Sequence, residues 1–434
     1  MSIWKILKEQ FEQVGGFSRS ARLFLLATVV DGIVYSGWSL FFNFYILESG
    51  FDKQFLGLLN AMPSIAALCL GILMGQISDR IGRKRAMLIG VALSILSMGL
   101  EVTLQSSTLI LLAAFINGTS SMLYYLSQAP FMMKVSNKEN RALLFSLNFG
   151  LVTLAGAFGS IFAGQLPGLF GGWLHVSPGS AAAYQAVLLA SVALSFMTLV
   201  PLFLLKEPPS KVETGVQVTP QASMRTVLFR PMTLKLALPN LLVGSGAAIL
   251  IPYINLFFAE RFHVSDSSLG FLFSASALLT GLGTIIGPRL ANGLGSKIRA
   301  VVFTQGGSLL FLLLMGFVPN LSFVVVGYLL RGTLMNMAVP LYSAFAMEQV
   351  VERDQGTVNS VKELAWQVGW AVGPYVSGVV QESYGFTPLF VATGVMYAAA
   401  ILLTWFFFSD SERKEALGEE VLPDLPPALD SFGD

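Results

Sequence analysis

Long windows without a charged residue alternate with short charged gaps along the 434-residue chain. Val102 to Met133, Ala142 to Leu205, Ala300 to Leu330 and Ser383 to Ser409 contain no Asp, Glu, Lys or Arg. A helix needs about 20 apolar residues to cross the hydrocarbon of a bilayer. The longest window must therefore hold two crossings and a polar turn, and Gly171 to Ser180 (GGWLHVSPGS) supplies the turn. Backbone groups in lipid must be satisfied within the segment, so the spans are helices; the short alternating segments of a porin-type barrel are absent. The pattern predicts twelve spans, at 20–47, 54–79, 84–105, 108–133, 140–168, 181–205, 232–259, 266–292, 297–318, 321–348, 356–382 and 386–408.

Composition agrees. The chain is 54% hydrophobic and 12% charged, against about a quarter charged in a soluble domain, which makes it an integral membrane protein. The net charge of +1 says little about partners, but the placement of charge fixes an orientation. With the amino terminus inside, the outer side holds only Lys53 and Arg261, Arg331 lies within a span, and the rest of the 26 basic residues fall at inner loops, inner helix ends or termini. The positive-inside rule then makes both termini cytoplasmic. The single cysteine, Cys69, is expected to be a packing residue of the second span. No cleavable signal peptide is evident. In the first residues Trp4, Leu7, Phe11 and Val14 recur at helical spacing, as in an interfacial amphipathic helix, though an unstructured arm fits equally. The tail from Asp410 has eight acids, two bases and three prolines, a composition expected to be disordered.

Lys206 to Lys235 is the only long hydrophilic stretch between spans, and it divides them six and six. The expected organisation is an arm over 1–19, a six-helix bundle over 20–205, a cytoplasmic loop over 206–231, a second bundle over 232–408 and a tail over 409–434. The halves repeat. An offset of 213 pairs Phe44 with Phe257, Gly57 with Gly270 and Gly82 with Gly295; an offset of 214 pairs Gly118 with Gly332, Ser146 with Ser360, Gly159 with Gly373 and Gly164 with Gly378. Two pseudo-symmetric six-helix bundles in the same orientation follow.

Between spans two and three, residues 75–85 read GQISDRIGRKR, five charges in eleven residues between two uncharged runs. This fits a GxxxDRxGRK signature, and over nearly its whole length the chain resembles the major facilitator superfamily, in its bacterial drug- and solute-efflux-like branch. The resemblance implies a twelve-helix, all-α membrane fold and a cytoplasmic latch made of Gly75, Asp79, Arg80, Gly82, Arg83 and Lys84. Gly75 and Gly82 would allow close helix contact and a tight turn, and the bases suit the inner surface. Asp79 would dock against the start of span eleven, near Gln355 to Val358, where a helix amino terminus favours a carboxylate. The second-half copy, PRLANGLGSK, carries Asn292 in place of the acid, so unequal contributions to closure are expected.

The resemblance also places spans one, four, seven and ten around a substrate cavity. Asp31 lies well inside span one, where a carboxylate is costly and marks function by default; it is the candidate for proton coupling, with a purely structural pairing as the alternative. Tyr35 and Trp38 follow on the same stripe. Span four offers Asn117, Tyr124 and Gln128, span seven Tyr253 and Asn255, and span ten Arg331, Asn336 and Tyr342, a mix of aromatic and hydrogen-bonding groups suited to a small-molecule site. Arg331 is the one base deep in a span, and Asp31 is its most obvious candidate partner. Glu101 and the Lys362–Glu363 pair, near span ends, are read as snorkelling or latch residues. Gly369, Gly373, Pro374 and Gly378 are expected to let span eleven pack closely and bend.

Two departures from the family pattern bear on mechanism. Proton antiporters of the family carry RxxQG in span four, where this chain has AFING; and GxxxGPxxGG belongs in span five, whereas its near match here is GWAVGPYVSG in span eleven. No metal spacing surrounds His175 or His263 and no nucleotide-binding loop occurs, so neither cofactor nor metal is expected, and the chain is not an enzyme. The expected function is proton-coupled secondary transport of a small organic solute, leaning to efflux of amphipathic compounds from a bacterial inner membrane. An uptake carrier or facilitator for an anionic or zwitterionic metabolite is the rival, and a non-transporting sensor or scaffold the rival of another class. The expected partners are the small-molecule substrate, protons and membrane lipids, with no nucleic acid, for a monomeric protein.

Overall fold

A computed structural model describes residues 16–137, 140–207, 227–351 and 354–416. The arm with Trp4, Leu7, Phe11 and Val14, most of the 206–231 loop and the tail beyond residue 416 lie outside the described residues. Among the described residues there are twelve long helices: α1 Arg19–Glu48, α2 Lys53–Ile81, α3 Arg83–Thr103, α4 Ser107–Val135, α5 Arg141–Leu174 and α6 Ala181–Leu204, then α7 Pro231–Phe262, α8 Asp266–Leu294, α9 Lys297–Phe317, α10 Leu321–Glu348, α11 Gln355–Tyr384 and α12 Thr387–Ala416.

Local chemistry sets where these helices begin. Ser18, Asp52, Ser180, Ser296 and Asn320 each accept a hydrogen bond from a first-turn amide, which satisfies donors that a helix start leaves without partners. The fifth helix runs further than its apolar pattern required, to Leu174, and ends where His175 turns left-handed at φ 54°. The seventh is broken by a 3-10 turn at Ile251–Tyr253. Pro252 has no amide hydrogen to continue the α-helical ladder there, and its free carbonyl accepts from Asn43 at 2.5 Å.

Among the described residues, eleven helices are long and apolar enough to cross a membrane. The twelfth, α11, is 30 residues long but carries Asn359, Lys362, Glu363, Trp366 and Trp370 along one stripe. Large side chains such as Phe162, Phe203 and Phe406 stand exposed on the outside, as lipid-facing positions require. Cys69 is also exposed rather than packed.

The chain divides into two compact units. The first comprises Met1–Val212 with Pro252–Leu278 and Pro374–Ser383. Phe24, Met87, Ile95, Phe131 and Leu202 centre its core towards the start of α1. At the opposite end its helices close through small residues that obey the repeat. A methyl group added at Gly57 would lie 2.5 Å from the Pro374 carbonyl oxygen, and one at the equivalent Gly270 would run into the carbonyl of Ser160. Gly378 lies against Lys53 just as Gly164 lies against Asp266. Lipid is as apolar as a side chain, so helices in a membrane gain from such close backbone packing rather than from hydrophobic burial. Polar pairs join the same end: Lys53 with Glu260 at 2.7 Å, Gln54 with Tyr375 at 3.0 Å, and Tyr184 with Asp266 at 3.2 Å.

The second unit comprises Glu213–Ile251, Leu279–Gly373 and Tyr384–Asp434. Its core gathers Leu236, Val301, Leu341, Phe345 and Phe408, with the last two aromatic rings edge to face at 5.0 Å. Here Gly369 lies against Ser245 and Gly373 against Ala248, bringing α11 onto α7. The Gly373 contact has its repeat counterpart in the first unit, where Gly159 lies against Ile33 and Ser36 of α1.

Candidate functional site

In the first unit, Asp31 sits along α1 with the Tyr125 hydroxyl donating to its carboxylate at 3.4 Å. Tyr35, one turn on, is 65% exposed and Tyr125 is 51% exposed, so the carboxylate stands on an open aromatic face. Tyr124 packs its ring 5.2 Å from Tyr125 and is itself buried. Trp38 stacks on Phe42 at 4.8 Å, and Gln128 is half-buried in α4. Asn117 faces elsewhere: its amide donates to Glu101 at 2.9 Å. Glu101 is 3% exposed, a carboxylate within the α3–α4 packing rather than a snorkelling end residue.

Two residues read as cavity lining are built into the wall instead. Tyr253 is fully buried and donates to the Pro374 carbonyl at 2.7 Å. Asn255 donates to the Leu40 carbonyl at 2.9 Å and accepts from Asn43 at 3.1 Å. Both serve backbone and side-chain groups beside the broken turn of α7, where freed polar atoms need partners.

In the second unit, Arg331, Asn336 and Tyr342 share one cavity of about 430 Å³. Arg331 is 6% exposed; its guanidinium donates to the Tyr397 hydroxyl at 2.7 Å and lies 5.8 Å from the centre of that ring. Its backbone carbonyl accepts from Ser308 at 3.0 Å. Tyr342 donates to the Leu236 carbonyl and Asn336 to that of Gly332. The cavity also includes Lys362, Glu363, Trp366, Trp370 and Asn240. Lys362 is 5% exposed, with its ammonium 5.3 Å from the centre of the Tyr342 ring. It is a cavity residue, not a snorkelling one; the carbonyl it presents accepts from Asn240 at 2.8 Å. Gly244 leaves room for Trp366 against α7. Gly369 and Gly373 lie on the side of α11 that meets α7, so the helix is both packed and polar by design of its two faces.

At the α2–α3 turn, Gly82 takes φ 92° and Gly295, its repeat mate, φ 70°, a left-handed conformation that favours glycine. Gly75 has open space where a Cβ would sit, so no close approach demands a glycine there. Asp79 pairs with Arg83 one turn along, Arg83 also reaches Ser78 at 2.7 Å, and Lys84 lies over the Phe203 ring. Arg80 and Asn292 are exposed.

Sequence reasoning missed Glu207, which organises this turn. Its two carboxylate oxygens accept from the amides of Arg83 at 3.2 Å and Lys84 at 2.9 Å, capping a helix start with no side-chain cap of its own, and Lys134 donates to it at 2.8 Å. Burial pushes its carboxyl upward, but the Lys134 ammonium and the two amides outweigh that and hold it below the usual carboxylate range. The available signal was an acid directly after a span, within reach of an uncapped helix start.

A helical membrane protein built from repeated halves, with polar groups inside its spans, has the architecture of a solute transporter. The family model described as Major Facilitator Superfamily matches residues 24–244 and 236–425; the chain belongs to this superfamily of membrane transporters. It is 24% identical over 353 residues to the multidrug resistance protein MdtG of Dickeya zeae, covering 80% of this chain and 82% of that one. It is 29% identical over 184 residues to the multi-drug resistance efflux pump PmrA homolog of Lactococcus lactis, a match spanning 41% of this chain and 44% of the relative. Among solved structures it is similar in fold to the nucleoside transporter NupG, with a TM-score of 0.70 at 15% identity over 90% of this chain and 99% of that one. A bacterial homolog of the lysosomal transporter Spinster gives a TM-score of 0.67 at 15% identity, covering 92% and 96%.

Proposed function

We propose that this chain exports small amphipathic organic compounds by alternating access, driven by protons carried on Asp31. The observation that carries this reading is the placement of Asp31: a carboxylate within a span, on an open aromatic face, with a tyrosine hydroxyl as its partner and, among the described residues of its own unit, no basic side chain pairing with it. Low-dielectric surroundings favour a neutral carboxyl and hydration a charged one. A change in access to Asp31 therefore changes its proton load, which is what coupling needs.

Alternating access also requires an end of the molecule that can open. The glycine contacts at Gly57, Gly164, Gly270 and Gly378 have the discrete, bistable character of packed interfaces. The efflux direction is supported by relatives whose names describe multidrug resistance, and their bacterial origin supports a cytoplasmic membrane; the placement of the basic residues supports both termini inside. The orientation is tested by labelling a cysteine placed in the 206–231 loop of a cysteine-free background, which an impermeant reagent should reach only from the cytoplasmic side. The function itself is tested by purified protein in liposomes with an imposed pH gradient, where an amphipathic probe should accumulate only when the gradient is present.

A further inference from the structure

Among the described residues of the second unit, neither cation of its cavity forms an ion pair. Arg331 and Lys362 are each more than nine-tenths buried, they come from different helices, and both line the same space. No carboxylate of the same unit, among the described residues, lies within ion-pairing distance of either. Arg331 Nε is buried without a hydrogen-bond partner, as is Trp370 Nε1, another lining group. A buried charge without an ion-pair partner is costly, and the aromatic faces at 5.8 Å and 5.3 Å offset only part of that cost. The one acid in the lining, Glu363, is exposed and takes a hydrogen bond from Gln367; it acts on Lys362 through its field, without an ion pair. The site is therefore rich in buried donors, and beside them stands a stacked pair of half-buried rings, Trp366 and Trp370, with centres 6.3 Å apart at 28°.

We propose that this cavity is an organic-anion site, in which Arg331 and Lys362 hold the acidic group of an amphipathic solute and the Trp366–Trp370 pair takes its flat apolar body. The guanidinium suits a planar carboxylate or a phosphate, and the ammonium adds a second point charge. This deepens the transporter reading, on which its physiological meaning rests, by naming the charge class of the cargo.

Isothermal titration of the purified full chain with three probes sharing one ring system tests it: 2-naphthoate, neutral 2-naphthamide and 2-naphthylmethylammonium. Naphthoate should bind at least tenfold more tightly than the amide, with the ammonium probe weakest. In Lys362→Gln and in Arg331→Gln that advantage should fall below threefold while amide affinity stays within twofold; Glu363→Gln should strengthen naphthoate binding. The comparison in the wild-type chain stands even if Arg331→Gln fails to fold. Equal binding of naphthoate and amide, no binding of naphthoate, or preference for the ammonium probe overturns the proposal. So does loss of naphthoate binding in nanodiscs containing phosphatidylglycerol with its return in purely zwitterionic ones, which assigns the cations to a lipid headgroup. A naphthoate preference without proton-driven transport would refute Asp31 coupling alone; transport without that preference would refute the anion site alone.

Discussion

The Arg331 guanidinium meets the Tyr397 hydroxyl at 2.7 Å inside the second unit, with the same cation over the same ring. Removing that hydroxyl leaves a buried charge short of an acceptor, a loss of about 1–3 kcal/mol. Tyr397→Phe should lower the melting temperature in detergent by a few degrees while keeping the cation–π contact. Millimolar 2-naphthoate should restore much of the loss, because a ligand bound to the folded state stabilises it by mass action. An unchanged melting temperature would show that Tyr397 does not hold Arg331.

The paired glycines make a symmetry prediction. Gly57→Ala places a methyl group against the Pro374 carbonyl, and Gly270→Ala does the same at Ser160. Each should cost about 1–3 kcal/mol through forced separation of packed helices. Both should raise the labelling rate of a cysteine placed at Gln54 or Ser267, by similar factors. An effect confined to one member of the pair would contradict the equivalence of the two contacts.

Glu207 gives the molecule a pH dependence of known sign. Its folded-state carboxyl lies below the usual range, so its contribution is present above the unfolded value of about 4.3 and is lost as pH falls through the folded value. Glu207→Gln should therefore be less stable than wild type by about 1–2 kcal/mol at pH 6–8, and the difference should shrink steadily below about pH 4.5. Thermal melts of the two proteins across that range check it; a difference that grows on acidification would contradict the assignment.

The membrane helices were legible in the sequence because a charge-free window of about 20 residues is a local property of the chain. The repeat was legible too, and the structure turns its glycine pairs into contacts, Gly164 with Asp266 and Gly378 with Lys53. What could not be read was which polar side chains face open space. Tyr253 and Asn255 have the composition of a binding site but spend their hydrogen bonds on the wall, because Pro252 breaks α7 beside them. Lys362 stands next to an acid near a helix end, the usual place for a snorkelling residue, and only the packing of α11 on α7 turns it inward. Burial of this kind depends on neighbours far away in sequence, which hydropathy does not register.

Proton coupling through Asp31 is the central claim, and transport in liposomes with a pH gradient as the sole driving force tests it most directly. Asp31→Asn keeps the shape and can still accept from Tyr125, but fixes a neutral group that carries no proton. Probe binding should survive within about threefold, whereas accumulation against a concentration gradient should be abolished, and Asp31→Glu should retain part of it. If Asp31→Asn still accumulates the probe when the pH gradient alone drives it, the proton travels by another group and the account is contradicted.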